Sequence, residues 1–130
     1  MADLTPYLQD LKNAAIAVGW YEIKGGTLVK QQAADRLARM EALLREKGAR
    51  EEQLAPVREN GLLLGRYRRE AALELADAVA CLMTEPSPHA QRRVKLAELH
   101  AQQAGLSQKQ IAAAKQEGIA MLAAADYQDG

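Results

Sequence analysis

Phenylalanine is absent from this chain of 130 residues, and cysteine and tryptophan occur once each, as Cys81 and Trp20. A lone cysteine cannot close an internal disulfide, which excludes a disulfide-stapled scaffold and leads us to expect a reducing compartment. Aromatic residues make up 4% of the chain and hydrophobic residues 48%, so the apolar content falls mostly to alanine and leucine. Both are strong helix formers, and the composition points to an all-α domain. Charge of one sign is lacking too, since 17 basic residues balance 17 acidic ones. A nucleic-acid-binding domain usually carries a basic excess, so that role would need a locally basic face. No uncharged run approaches the roughly 18 residues of a membrane helix. Asp3 and Asp10 stand where a signal peptide would avoid acid. A soluble cytoplasmic protein with no membrane association is therefore expected.

The length suits one domain with its own core, so a single all-α domain over residues 1–130 is expected, a compact helical bundle of about five helices. Thr5-Pro6 reads as a cap followed by a first-turn proline, and Tyr7, Leu8, Leu11, Ala15 and Val18 recur at helical spacing up to Gly19. Residues 20–24 before Gly25-Gly26 could form one arm of a hairpin, but a loop is preferred because Thr27 also reads as a cap. A second helix is expected over 28–47, ended by Gly48, with Glu41 and Arg45 as an i,i+4 pair. Pro56 and Asn60-Gly61 then predict a short interrupted helical turn near 51–60. A third helix follows over 62–83, with Leu64, Tyr67, Ala71, Leu75, Ala78 and Leu82 at coiled-coil-like spacing. Ser87-Pro88 opens a fourth. There, Val94, Ala97, Ala101 and Ala104 form one stripe while Leu96 and Leu99 widen the apolar arc enough to imply two partners. Ile111, Ala114, Gly118, Met121 and Ala125 line the fifth, whose small residues permit close backbone approach, and 126–130 read as a frayed tail.

The most legible segment is Ala97 to Gln116. Gly105 suits a left-handed helix end, Ser107 and Gln110 a capping box, and Leu106 and Ile111 a hydrophobic staple. With Ala101, Gly105 and Ile111 at the fifth, ninth and fifteenth positions, the segment resembles the helix-turn-helix motif, which implies a DNA-binding regulator. His100, Ala104 and Ala114 depart from the larger aliphatics usual at their positions. In that reading Gln108, Lys109, Ala112 and Gln116 face the major groove, and Arg92, Arg93 and Lys95 meet phosphates. Ser87 to Glu117 holds five basic and two acidic residues, a small local excess. A plain helical hairpin fits the same residues.

His100 to Ile111, with its Gly-Leu-Ser turn, also resembles the carboxymuconolactone decarboxylase and AhpD-like family, which implies a helical subunit with a reactive cysteine pair and a histidine before such a turn. Cys81 has no partner and no CxxC exists, and His100 lies nearer the glycine than that family's histidine. A two-cysteine peroxidase cycle is thereby excluded, leaving at most a degenerate member without the cysteine pair.

Catalytic, cofactor-binding and metal residues are expected to be none, and no small-molecule ligand is evident. Cys81 reads as a small buried hydrophobe. His89 and His100 are roughly 16 Å apart by helix rise, too far to share a metal. Glu70, Glu74 and Asp77, and Arg66, Arg68 and Arg69, read as a wet, mixed-charge face. Trp20 and Tyr21, read as part of a glycine-bounded loop, are the candidate partner-binding residues, a core role for Trp20 being equally open. The expectation is a non-enzymatic protein-protein interaction or regulatory module. It would bind a protein partner and form a homodimer through the third or fourth helix, with the helix-turn-helix at 97–116 as the alternative.

Overall fold

The computed structural model describes residues 3–129, with side chains described through residue 123. They form five helices: α1 (Thr5–Glu22), α2 (Thr27–Glu46), α3 (Glu51–Thr84), α4 (Pro88–Ala104) and α5 (Gln108–Asp129). No strand occurs among the described residues, so the fold is all-α and residues 20–24 form no hairpin arm. The chain divides into two compact units, residues 1–69 and 70–130, so α3 gives its first part to one and its later part to the other.

In the first unit α1 packs on α2. Its core is Leu11, Leu44, Ala49 and Leu54, with Leu4, Tyr7, Leu8, Leu37, Met40 and Val57 packed against it. Each fully buried leucine contributes about 2 kcal/mol by transfer from water. A ring of charges closes the α2–α3 corner. Arg58 meets Glu41 at 2.9 Å and Glu51 at 3.1 Å, while Arg45 meets Glu51 at 3.1 Å and Glu41 at 3.7 Å. The two guanidiniums hold the Glu51 carboxyl below the ordinary glutamate range, and Glu41 and Glu51 push Arg58 further up.

The largest difference from expectation is α3, which runs unbroken through Pro56 and Gly61. Pro56 lies near the helix start, where the backbone bond it forgoes would have gone to Glu52, an exposed residue whose carbonyl can turn to water. Gly61 is no turn at all. A Cβ there would stand 2.6 Å from Ala15 Cβ and 2.8 Å from the Lys12 carbonyl, and one on Gly65 would strike the Ile16 carbonyl. One on Gly19 would likewise strike the Leu62 carbonyl. Three glycines thus let α1 and α3 cross backbone to backbone, and Leu54, Gly61, Gly65, Ala72, Ala76 and Val79 continue one buried stripe at spacings of three, four or seven. Tyr67 is exposed, off the stripe that was expected to include it.

The second unit is built on alanine. Ala72, Ala76, Ala78, Ala97 and Ala101 are wholly buried, with Leu75, Leu106, Ile111 and Ala114 beside them. Gly118 of α5 lies against the Ala76 backbone, the close approach its small residues permit. α5 runs on to Asp129, through most of the expected tail; the side chain of Ala125 and all of Gly130 lie outside the described residues.

The helix signals succeed at Gly48, Ser87, Gly105 and Ser107, whereas α1 runs through Gly19, its expected end, to Glu22. Ala90 N–H donates to Ser87 Oγ at 3.0 Å. Gly105 takes φ 93°, Gln110 N–H donates to Ser107 Oγ at 3.1 Å, and Ser107 N–H donates to Gln110 Oε1 at 2.9 Å. Neither threonine caps as expected. Thr5 and Thr27 are first helical residues, and the Asp3 carboxylate accepts from Thr5 N–H at 2.9 Å, which keeps the Asp3 carboxyl below its ordinary value.

Candidate functional site

Trp20 and Tyr21 occupy the last turn of α1, not a loop; the connection to α2 is only residues 23–26. It is folded tightly, with Lys24 at φ 59° and Gly25 so close over the Tyr21 carbonyl that a Cβ could not fit. Two arginines of α3 fix this corner. Arg66 grips the Glu22 carboxylate with both Nε, at 2.6 Å, and Nη2, at 3.1 Å, and this pairing raises the Arg66 pKa. Arg69 stacks on the Trp20 ring, 5.3 Å from its centroid, and Nε donates to the Ile23 carbonyl at 3.2 Å.

Arg69 is only 9% exposed, which corrects the reading of Arg66, Arg68 and Arg69 as one wet face. One helical turn apart on α3, Arg66 and Arg69 both reach the end of α1, Arg66 at Glu22 and Arg69 at Trp20 and the Ile23 carbonyl just beyond it. Sequence reasoning gave these arginines Glu70 and Glu74 as neutralising neighbours; the partner of Arg66 is instead a glutamate 44 residues away, a pairing no local pattern displays.

Between these groups lies a pocket of about 170 Å³, lined by Trp20, Tyr21, Ile23, Lys24, Gly25, Gly26, Val29 and Arg69. Its wall includes the start of α2, where Gly26 is the cap residue, no side chain caps the backbone, and the first turn carries no acid. The corner therefore joins an aromatic pair, two cations and an uncapped helix start. Trp20 is half-buried and Tyr21 exposed, so the tryptophan serves the core and the rim together.

The second candidate surface is the capped corner at 97–116. Gln108, Lys109, Ala112 and Gln116 are all exposed on α5, as are Arg92, Arg93 and Lys95 on α4. Two of the expected phosphate ligands are turned to their own unit. Arg92 Nε donates to the Pro88 carbonyl at 3.3 Å, and Arg93 Nη1 donates to Cys81 Sγ at 3.0 Å. Cys81 is exposed, contrary to its reading as a buried hydrophobe, because it lies off the Ala72–Ala76–Val79 stripe. Glu70, Glu74 and Asp77 are exposed, and Glu74 meets His100 Nδ1 at 3.0 Å. No group of three or more metal-ligating side chains stands together among the described residues, and no described helix is long and apolar enough to cross a membrane. Comparison with protein-family models, with curated proteins and with solved structures gives no match in any of the three.

Proposed function

We propose that this chain is a non-enzymatic protein-interaction or regulatory module of the cytoplasm, engaging its partner at the corner where α1 meets α2. The observation that carries the reading is an exposed Tyr21 beside a half-buried Trp20 braced by Arg69. Tryptophan, tyrosine and arginine are the residues in which binding energy concentrates, above all where packing fixes them in advance. A photo-reactive residue at position 21 should cross-link one protein reproducibly, and Trp20→Ala in the same chain should abolish the adduct; cross-linking that ignores Trp20 would refute the reading.

Self-association belongs to the same proposal. Leu96 and Leu99 on α4 remain 51% and 47% exposed, so the arc that implied two partners has only one covered side within the described chain. A homodimer through α4 would cover the other. Light scattering should give twice the monomer mass at micromolar concentration, and Leu96→Glu should return it to one; α3, with Leu63 and Tyr67 exposed, is the alternative seam.

A second reading, a DNA-binding regulator using the helix-turn-helix at 97–116, is favoured by the reciprocal Ser107–Gln110 capping bonds and the exposure of Gln108, Lys109 and Gln116. It requires binding that weakens steeply with salt. Gel shifts against pooled genomic fragments that show no complex even at low salt would end it.

A further inference from the structure

We infer that this chain pairs with a second copy of itself by laying the acidic outer face of its α3 on the basic outer face of the partner's α4, each chain giving one face and receiving the other. The inference rests on the self-association reading and names what covers α4.

Two helices hold large apolar side chains in water. On α3, Leu63 and Tyr67 are 60% and 55% exposed, and on α4 Leu96 and Leu99 are exposed nearly as much. Each pair shares one side of its helix, at a spacing of four on α3 and of three on α4. A ridge spaced by four set against one spaced by three packs at a crossing of about 20°. The helices then run side by side, so the residues one turn beyond each pair also meet.

Charge selects the occupant. The exposed charged residues of α3 are Glu51, Glu52, Glu59, Glu70, Glu74 and Asp77, all of them acidic. The arginines of α3 are half-buried or buried, Arg58 and Arg66 in ion pairs and Arg69 against Trp20. On α4 the residues both exposed and charged at neutral pH are Arg92, Arg93 and Lys95, while Glu98 is half-buried and paired with Lys115. The two faces are thus of opposite sign.

The charges also frame the apolar pairs. Glu59 stands one turn before Leu63 and Glu70 one turn after Tyr67, whereas Arg92 and Lys95 stand one turn before Leu96 and Leu99. Whichever way the helices run, Arg92 falls opposite an acid. Packing α4 on α4 would leave the three cations with no exposed acid on the facing helix, and packing α3 on α3 would join two acidic faces. The crossed pairing alone matches apolar to apolar and acid to base. Every chain carries one face of each kind, so a two-fold dimer makes the contact twice and covers both.

The test uses two variants of the full chain. Glu59→Lys with Glu70→Lys makes the α3 face basic, and Arg92→Glu with Lys95→Glu makes the α4 face acidic. Light scattering at micromolar concentration reads each variant alone and their equimolar mixture, with circular dichroism confirming the fold. The unaltered chain should be a dimer that weakens as salt is raised. Either variant alone sets like charge on like and should associate at least about tenfold more weakly. In the mixture both contacts are complementary again, so a dimer with one chain of each kind should return. Leu63→Glu should break the unaltered dimer as Leu96→Glu does. If the α3 variant dimerises as well as the unaltered chain, or if mixing restores nothing, the crossed pairing is overturned; a dimer that Leu96→Glu still breaks then leaves self-association through α4 standing. A monomer from the unaltered chain overturns both.

Discussion

The two units solve the same problem, closing three helical segments around a core, with opposite materials. The first uses leucine volume: Leu11, Leu44 and Leu54 are fully buried, ringed by tyrosine, methionine and valine, and charged pairs tie its corners. The second uses alanine, with Ala72, Ala76, Ala97 and Ala101 wholly buried. Large side chains fill the space between helices that stand apart, whereas small ones remove that space by letting backbones approach. The first unit uses both devices, since Gly19, Gly61 and Gly65 close the α1–α3 crossing while leucines fill the side toward α2. The lesson is that a core can fail in two directions, by becoming too empty or too full.

That contrast can be broken experimentally. Leu44→Ala, at a fully buried position, should destabilise the first unit by about 3 kcal/mol through lost burial and the cavity left behind. Urea unfolding followed by Trp20 emission measures it. If hydrogen-exchange protection in α4 falls by the same amount, the units unfold as one and the contrast is only local. The reverse change tests the second unit. Ala101→Leu should cost about 2 kcal/mol, because a wholly buried alanine between close helices has no room for three more carbons. Exchange protection of α4 and α5 amides should drop, and unchanged protection would show hidden space around Ala101.

Smaller effects sharpen the comparison at the corners. Ser107→Ala removes one half of the capping box and should cost about 1 kcal/mol, read by the same exchange experiment at the start of α5. The corresponding corner of the first unit is held by charge, so it should answer to pH. Glu51, with its folded pKa lowered by Arg45 and Arg58, contributes stability that is fully present above the ordinary glutamate value of 4.5 and is lost as pH falls below it. The Trp20-detected midpoint should therefore decline on acidification, less so in high salt, where exposed pairs are screened. Arg58→Gln should flatten that decline; an unaltered pH profile in this variant would remove the charge ring from the account.

Much of the fold was legible in the sequence because helix ends are written locally. Gly48, Ser87, Gly105 and Ser107 each act within a few residues of themselves, and the structure uses all four where the sequence puts them. The same local grammar misleads at Gly61. A glycine that permits a helix crossing and one that ends a helix are the same letter, and only the α1 backbone, some 45 residues earlier in the chain, tells them apart. The Trp20 corner was half legible for the same reason. Its aromatics stand out by rarity, whereas the cation beneath them, Arg69, enters from α3 and had looked like part of a solvated arginine cluster.

Alanine has no side-chain rotor, and this gives the second unit a thermal character of its own. Closing Ala72, Ala76, Ala97 and Ala101 freezes no χ angle, so heat recovers little side-chain entropy when that core opens. The same small side chains expose modest apolar surface on unfolding, which keeps the heat-capacity increment low. Stability built this way varies gently with temperature. The leucine core of the first unit follows a more sharply curved dependence, so within one chain cold and heat weigh differently on its two ends.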